Sequence, residues 1–406
     1  MKRAAVKIPR HLFCIYAKHI MQSLAPEIEH LQTVSRPDRS DKNMRVLHVG
    51  KFYPPHRGGM ESHLHAICTE LKKHVSLEVL VSSDDLRTTE ELFDGVRVTR
   101  AGTLLNLSAA PVCPKMVGRI REANADVVHI HLPHPTAILA YLASGHRGRL
   151  VFTYHSDIVR QKTLGHLFRP ILRHALARAD AIIVASPNYL ESSSVLRMFK
   201  DKCRIIPFGI PVAQFNCSDR VEVSEIRAKY GPRIILGVGR LIYYKGFEYL
   251  IRAMKEVRGH LLIVGKGPLR ARLEKEARDS GVGDRVSFLG GVKDVTPYYH
   301  AADVFVLPSV ARSEAFGIVQ LEAMACGKPI VNTDLDSGVP FVSPGGVTGI
   351  TVPPADPQAL SGAINVLLDD PVLRDRYGRA GKLRVENEFN LNVMTRRTLD
   401  LYRELS

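Results

Sequence analysis

The sequence predicts an α/β protein built from two Rossmann-like, doubly wound domains that face each other across a cleft, and three observations lead there. Its 406 residues exceed the size at which a single hydrophobic core stops growing, so two domains of about 150–200 residues are the natural division. From Arg45 onward short apolar runs alternate with amphipathic helical stretches, as in a parallel sheet wrapped by helices. The alternation occurs twice in series, with a Pro- and Gly-containing break between the two.

Taken in order, the first series has strand-like segments at 46–49, 77–81, 96–99, 127–130, 150–153, 181–184 and 204–206, with helical spacing in most of the gaps. Next comes Pro207-Phe208-Gly209-Ile210-Pro211, a hinge, and a polar stretch from Asn216 to Lys229 that reads as the leading helix of the second unit. The second series has strands at 234–238, 261–264, 286–289, 304–307 and 330–332, with helices near 247–257, 269–280 and 318–325. From Pro357 to Ser406 only amphipathic helices follow, and a helix at a chain end must bury its apolar face on a neighbouring domain. The expected division is therefore an extension at 1–43, a first domain at 44–208, a second at 209–385, and a terminal helix at 386–406 that packs back on the first.

Residues 1–43 are basic and mixed. The apolar run from Leu12 to Tyr16 is too short and too soon interrupted by Lys18 and His19 for a secretory signal. The segment reads as a disordered extension, with Met44 a candidate start, or as a basic segment for a membrane surface. The 45% hydrophobic and 24% charged content is that of a soluble globular chain. A net charge of +15 implies an anionic partner: nucleic acid, a phosphorylated small molecule or an acidic membrane. Basic residues are dispersed rather than interleaved with aromatics, which argues against nucleic acid. The six cysteines have no CxxC pairing, which suits a reducing cytosol better than a disulfide framework or a zinc site. No run of about 18 apolar residues spans a bilayer. A cytoplasmic protein, peripheral on the inner face of the membrane at most, is expected.

Open parallel sheets bind ligands at the carboxyl ends of their strands, so the loops there hold the candidate site residues. The segment Ser313-Glu314-Ala315-Phe316-Gly317-Ile318-Val319-Gln320-Leu321-Glu322 follows one such strand and opens a helix. Two carboxylates eight residues apart would lie on much the same side of a helix. The N–H groups of Phe316, Gly317 and Ile318 would point outward at its start, where phosphate binds. Glu314 would then meet sugar hydroxyls and Glu322 the ribose. In the competing reading Glu314 only complements the helix dipole and Glu322 is a solvated surface residue. In Gly237-Val238-Gly239-Arg240-Leu241-Ile242-Tyr243-Tyr244-Lys245-Gly246, Arg240 and Lys245 offer two cations to a departing diphosphate. The same two cations also fit an ordinary solvated surface. In the first domain, Gly58-Gly59 lets a loop approach a phosphate or sugar or forms a simple turn. His155, at a strand end, either donates to a sugar hydroxyl or is a structural histidine.

Two patterns suggest metal. Asp334-Leu335-Asp336 has the DxD form, but turn-forming aspartates are common after a strand. His129, His131 and His134 form HxHxxH, without a carboxylate or cysteine in register. No metal site is expected from either.

Taken together, Gly58-Gly59, His155, Arg240, Lys245 and the Glu314/Glu322 pair resemble the retaining glycosyltransferases of family 4, of GT-B fold, over residues 44–406. The resemblance implies that Arg240 and Lys245 hold the diphosphate and Glu322 the ribose. It gives the donor sugar to Glu314 and the backbone at Phe316, Gly317 and Ile318, and a hydroxyl near the anomeric carbon to His155. It further implies metal independence and no cofactor beyond the nucleotide-sugar co-substrate. His155 through Lys162, Arg240 through Gly246, and Ser313 through Gly317 look like bacterial mannosyltransferases of O-antigen and exopolysaccharide assembly. That suggests a GDP-mannose donor and a glycan or lipid-linked acceptor reached on an anionic membrane. A sugar-nucleotide epimerase or a phosphorylase on the same scaffold is the alternative.

Overall fold

In the computed structural model, which describes residues 44–56, 58–107, 110–157, 162–216 and 219–406, two largely parallel sheets order the chain. The expectations for the extension at 1–43 and for residues 158–161 lie outside the described residues. The first sheet contains β1 (Arg45–Val49), β2 (Ser76–Ser82), β3 (Thr89–Phe93) and β4 (Val96–Ala101). A small hairpin, β5 (Leu105–Leu107) and β6 (Ala110–Val112), precedes its remaining strands β7 (Val127–Leu132), β8 (Arg149–Tyr154), β9 (Ala181–Val184) and β10 (Cys203–Ile205). Its order is β10-β9-β8-β7-β1-β2-β4-β3, parallel throughout except for β3 against β4. The second sheet is formed by β11 (Ile234–Val238), β12 (His260–Val264), β13 (Val286–Gly290), β14 (Val304–Leu307), β15 (Ile330–Thr333) and β16 (Gly349–Val352). Its order is β13-β12-β11-β14-β15-β16, the dinucleotide-binding arrangement.

The central strands are buried along nearly their whole length, β7 as an unbroken run, because helices cover both faces of a parallel sheet. Strands occur at all twelve expected places, and four more were not anticipated. The β3 segment Thr-Glu-Glu-Leu-Phe is almost entirely exposed and has no apolar periodicity to reveal it. Its signal is the turn that follows, where Asp94 and Gly95 both adopt positive φ, 46° and 72°, as a tight hairpin requires. The others are the short hairpin β5–β6 and the edge strand β16.

The chain crosses between the sheets twice, and the two crossings are tied together. Ile210 donates its N–H to the Phe389 carbonyl, and Leu391 donates to the Ile210 carbonyl, both at 2.9 Å. A Cβ on Gly209 would lie 2.5 Å from the Asn390 oxygen, so only glycine lets the strands pass this closely. After the second crossing the helix Leu391–Leu405 lies along the helix Gly59–Leu71 of the first half. Phe208, Phe316 and Phe389 meet where the halves join, with ring centroids 5.1 Å and 6.0 Å apart along the row.

Candidate active site

Chain order reverses on either side of β11, whose neighbours are β12 and β14, and ligands bind at such switch points. The loop after β11 carries Arg240 and Lys245; the loop after β14 carries Glu314. Lys245 Nζ lies 2.6 Å from Glu314 Oε2, and both side chains are only 10% exposed. Ser309 Oγ donates to the same oxygen at 3.0 Å. Two glycines make the pairing possible. Gly239, at φ 154°, leaves room for the Lys245 stem, which a Cβ would meet at 3.1 Å. Gly246, at φ 66°, lies against the Pro308 carbonyl, where a Cβ would come to 2.0 Å.

Gly246→Ala therefore combines left-handed strain with a backbone clash, and neither can relax without separating the two loops. Strain alone costs about 1–3 kcal/mol, so a fall in Tm of at least roughly 2 °C is expected by calorimetry. An unchanged Tm would mean that the loops do not need this contact.

Glu314 sits in a loop, not on the helix itself. The helix Ile318–Ala325 begins after Gly317, at φ 76°, and no side chain caps it, so its first N–H groups remain available to an anion. Phe316 is buried against Phe208 and fixes this loop to the crossing segment. Glu322, half-buried on the helix, accepts from the Tyr299 hydroxyl at 2.6 Å. Burial raises its carboxyl above the usual carboxylate range, against the Tyr299 bond and the Lys245 charge. The two glutamates therefore stand on either side of the helix start, with Lys245 acting on both.

Arg240 is exposed, its guanidinium 3.5 Å from the Tyr244 hydroxyl. Near enough to feel its charge is Lys51, in the loop after β1, which the sequence reading missed. Burial draws the Lys51 ammonium below its ordinary range, opposed by Glu61 and reinforced by the Arg240 charge. Cations from opposite halves thus repel one another across the cleft, a repulsion that a bound anion relieves. Position after the first strand was the only signal that could have found Lys51. Gly58 starts the helix Gly59–Leu71 in extended backbone without a side-chain cap. A Cβ on it would come within 2.3 Å of the Glu61 carboxylate, whereas Gly59 faces open space.

Arg312, also missed, closes the cleft edge. It pairs with Asp157 of the first half at 3.1 Å, donates to the Ser192 carbonyl at 3.0 Å and to its hydroxyl at 3.1 Å, and stacks over Tyr189. Asp157 is held in turn by the Tyr154 hydroxyl at 2.8 Å and the Ser193 hydroxyl at 3.1 Å. Arg312 stands two residues before Glu314, the nearest hint in the sequence.

His155 is 7% exposed at the end of β8. Its ring lies 4.9 Å from that of Phe208, which packs on Phe316, so His155 reaches the donor loop through two aromatic contacts. It is also one of several buried histidines, with His48, His63, His129, His131 and His134. Burial holds them neutral, His48 and His63 down to about 3 and the His129, His131 and His155 rings well below their ordinary value.

The HxHxxH histidines separate. His129 and His131 point into this cluster with rings stacked 4.8 Å apart, while His134 belongs to neither close grouping of ring nitrogens. Those groupings are His48/His129/His131 and His63/His131/His155, with ligand atoms within 4.8 Å of one another, but most of the nitrogens are already hydrogen-bonded to each other or to Tyr402 and Thr153. Spacing along one strand could not reveal a cluster assembled from β1, β7, β8 and two helices. Asp334 and Asp336 are exposed after β15, and the Asp336 carbonyl accepts from Ser192 at 2.8 Å. Cys68, Cys113, Cys203 and Cys326 are free thiols; Cys14 and Cys217 lie outside the described residues. Among the described residues no helix is long and apolar enough to cross a membrane.

Residues 57–214 match the family described as Glycosyltransferase Family 4, and residues 219–384 match Glycosyl transferases group 1. The chain is 33% identical over 368 residues to the O-antigen chain mannosyltransferase C of Escherichia coli, covering 89% of this chain and 99% of that one. It is 36% identical over 352 residues to the D-rhamnosyltransferase WbpZ of Pseudomonas aeruginosa, covering 85% and 92%. It is 32% identical over 363 residues to a GDP-mannose-dependent phosphatidylinositol monomannoside mannosyltransferase of Mycolicibacterium smegmatis, covering 83% and 92%. Among solved structures, the sucrose-phosphate synthase of Thermosynechococcus elongatus superposes with a TM-score of 0.74 at 24% identity, over 89% of this chain and 99% of that one.

Proposed function

The chain belongs to glycosyltransferase family 4 and has the GT-B fold, and on that premise we propose that it transfers mannose from GDP-mannose, with retention, to a glycan or lipid-linked acceptor of cell-surface polysaccharide. The observation that carries the reading is the buried Lys245–Glu314 pair beside an uncapped helix start. A bound diphosphate takes its charge from Lys245, Arg240 and the N–H groups at Phe316, Gly317 and Ile318. Glu314, drawn away from Lys245, accepts from sugar hydroxyls, and Glu322 takes the ribose diol. Fixed cations and amides stabilise the leaving diphosphate as the glycosidic bond breaks. The acceptor hydroxyl attacks on the face that the phosphate leaves and gives its proton to that phosphate. This chemistry needs no metal. Similarity to the GDP-mannose-dependent relative and to the O-antigen mannosyltransferase supports the donor and acceptor classes. The D-rhamnosyltransferase similarity favours a second reading in which the sugar is D-rhamnose. The net charge of +15 draws the protein to an anionic bilayer carrying the acceptor.

A donor that binds only the folded chain raises Tm. GDP-mannose is expected to do so in the presence of EDTA, with UDP-sugars inert, and a D-rhamnosyl donor separates the second reading. Flotation with anionic vesicles at low salt is expected to carry the protein upward. A Tm raised only by UDP-sugars would refute the donor assignment, and no flotation the membrane docking.

A further inference from the structure

One feature of the first half is not used by the chemistry above: a continuous row of hydrogen bonds that runs through the buried histidines into the last helix of the chain. His155 Nε2 lies 3.1 Å from His131 Nδ1, and His131 Nε2 lies 3.0 Å from His48 Nδ1. His48 Nε2 is 3.1 Å from the Tyr402 hydroxyl, which is 2.5 Å from His129 Nδ1. His129 Nε2 ends the row 2.7 Å from Thr153 Oγ1. Every imidazole in the row is buried and neutral, so each offers one N–H and one lone pair. Protons along such a row point the same way unless the Tyr402 hydroxyl accepts from both of its histidine neighbours, so three orders exist.

The two hydroxyl protons distinguish them. In the first order Thr153 donates to His129, His129 to Tyr402, Tyr402 to His48, His48 to His131, and His131 to His155 Nε2. His155 then carries its proton on Nδ1, the ring nitrogen with no partner among the described residues. In the opposite order the Thr153 hydroxyl accepts from His129, and in the third Tyr402 accepts from His129 and His48; the Thr153 proton in one and the Tyr402 proton in the other then lack an acceptor among the described residues, an unmet buried donor. Only the first order gives both buried hydroxyl protons an acceptor, and it leaves its one spare N–H on His155 Nδ1, which is not among the enclosed unpartnered atoms of the described residues.

We infer that Tyr402 is a positioning residue: acting through His48 and His131, it holds His155 in the Nδ1–H tautomer, so that this nitrogen donates to an oxygen of the donor sugar. The inference rests on the reading of His155 as a sugar contact. It also gives the return of the last helix to the first half a role in the reaction, since without Tyr402 the row breaks between His48 and His129. A fixed tautomer matters because a ring with its proton on the wrong nitrogen presents a lone pair where a donor is needed.

The test reads the tautomer directly, by two-bond proton–nitrogen NMR on 15N-histidine-labelled protein, alongside turnover of the nucleotide sugar that raises Tm. In the wild type the His155 Nδ1 resonance is expected in the protonated range and Nε2 in the unprotonated range. Tyr402→Phe is expected to mix the two forms and to lower kcat roughly 10-fold, with donor KM changed less than kcat. In a His155→Ala background the Tyr402 change is expected to have no further effect, since the two act as one unit. Thr153→Val breaks the far end with little change in volume and reads the same tautomer should Tyr402→Phe fold poorly. A wild-type His155 protonated on Nε2, or a Tyr402→Phe enzyme with unchanged tautomer and kcat beside an inactive His155→Ala, would overturn the inference. An active His155→Ala would instead remove His155 from the sugar, a failure of the underlying reading.

Discussion

Replacing Lys245 with alanine is expected to lower turnover by two to three orders of magnitude, the usual loss when one fixed donor to a developing anion is removed. The buried pair with Glu314 adds a second consequence. With both side chains 10% exposed, the single variant leaves a carboxylate enclosed with only Ser309 to satisfy it. Removing one partner of such a pair costs about 3–5 kcal/mol, so Tm is expected to fall by roughly 10 °C. Lost turnover in Lys245→Ala alone could therefore reflect a damaged site as well as a missing cation. Lys245→Ala/Glu314→Gln, read against Glu314→Gln alone, separates the two, because the neutral amide no longer needs a counter-charge. Tm is expected to recover most of its loss in the double variant while turnover stays two to three orders of magnitude below that of Glu314→Gln. A double variant that matched Glu314→Gln in turnover would show that Lys245 is structural, and a Lys245→Ala variant with near-wild-type turnover would remove it from the site.

Mild acid is expected to unfold the protein well before ordinary carboxylates titrate. His48, His63, His129, His131, His134 and His155 are buried, and burial lowers each of them from the usual value of 6.5, to about 3 for His48, His63 and His134. For a base whose value is lowered on folding, the stabilising contribution is complete above the unfolded value and is lost as pH falls, because only the unfolded chain then takes up the proton. Below 6.5 each histidine removes up to about 1.4 kcal/mol per pH unit, and six acting together remove about 8. Against a typical stability of about 5–15 kcal/mol, this places unfolding one to two units below 6.5. Circular dichroism melts from pH 7.5 to 4.5 are expected to show a steep, cooperative fall in Tm centred near pH 5, with about six protons taken up on unfolding. A Tm that stays flat between pH 7 and 5 would contradict the buried, neutral cluster.

Much of the architecture and part of the site are legible in the residues, for identifiable reasons. The central strands are apolar on both faces, so Val-Val-His-Ile-His-Leu at β7 or Ile-Ile-Leu-Gly-Val at β11 could be found without coordinates. The loops after β11 and β14 were marked by glycines and charges at strand ends, and Lys245 and Glu314 meet there. β3 was missed because an exposed edge strand has no buried face to impose periodicity. Lys51 and Arg312 were missed because a single cation in a loop has no local pattern; each acquires meaning only from a residue in the opposite half, Arg240 for one and Asp157 for the other.

The sequence by itself determined the two parallel sheets, the break near Gly209 and the loops that carry the charges, because parallel-sheet burial and turn chemistry are written locally in residue type and spacing. It takes the folded chain to show that Glu314 is neutralised by Lys245, that Glu322 is held by Tyr299, and that four histidines and a tyrosine 354 positions from His48 form one buried network. Those arrangements depend on which strands become neighbours and on where the chain returns after crossing twice. Hydrogen bonding and charge pairing are set by distance in space, which residue spacing along a strand does not encode.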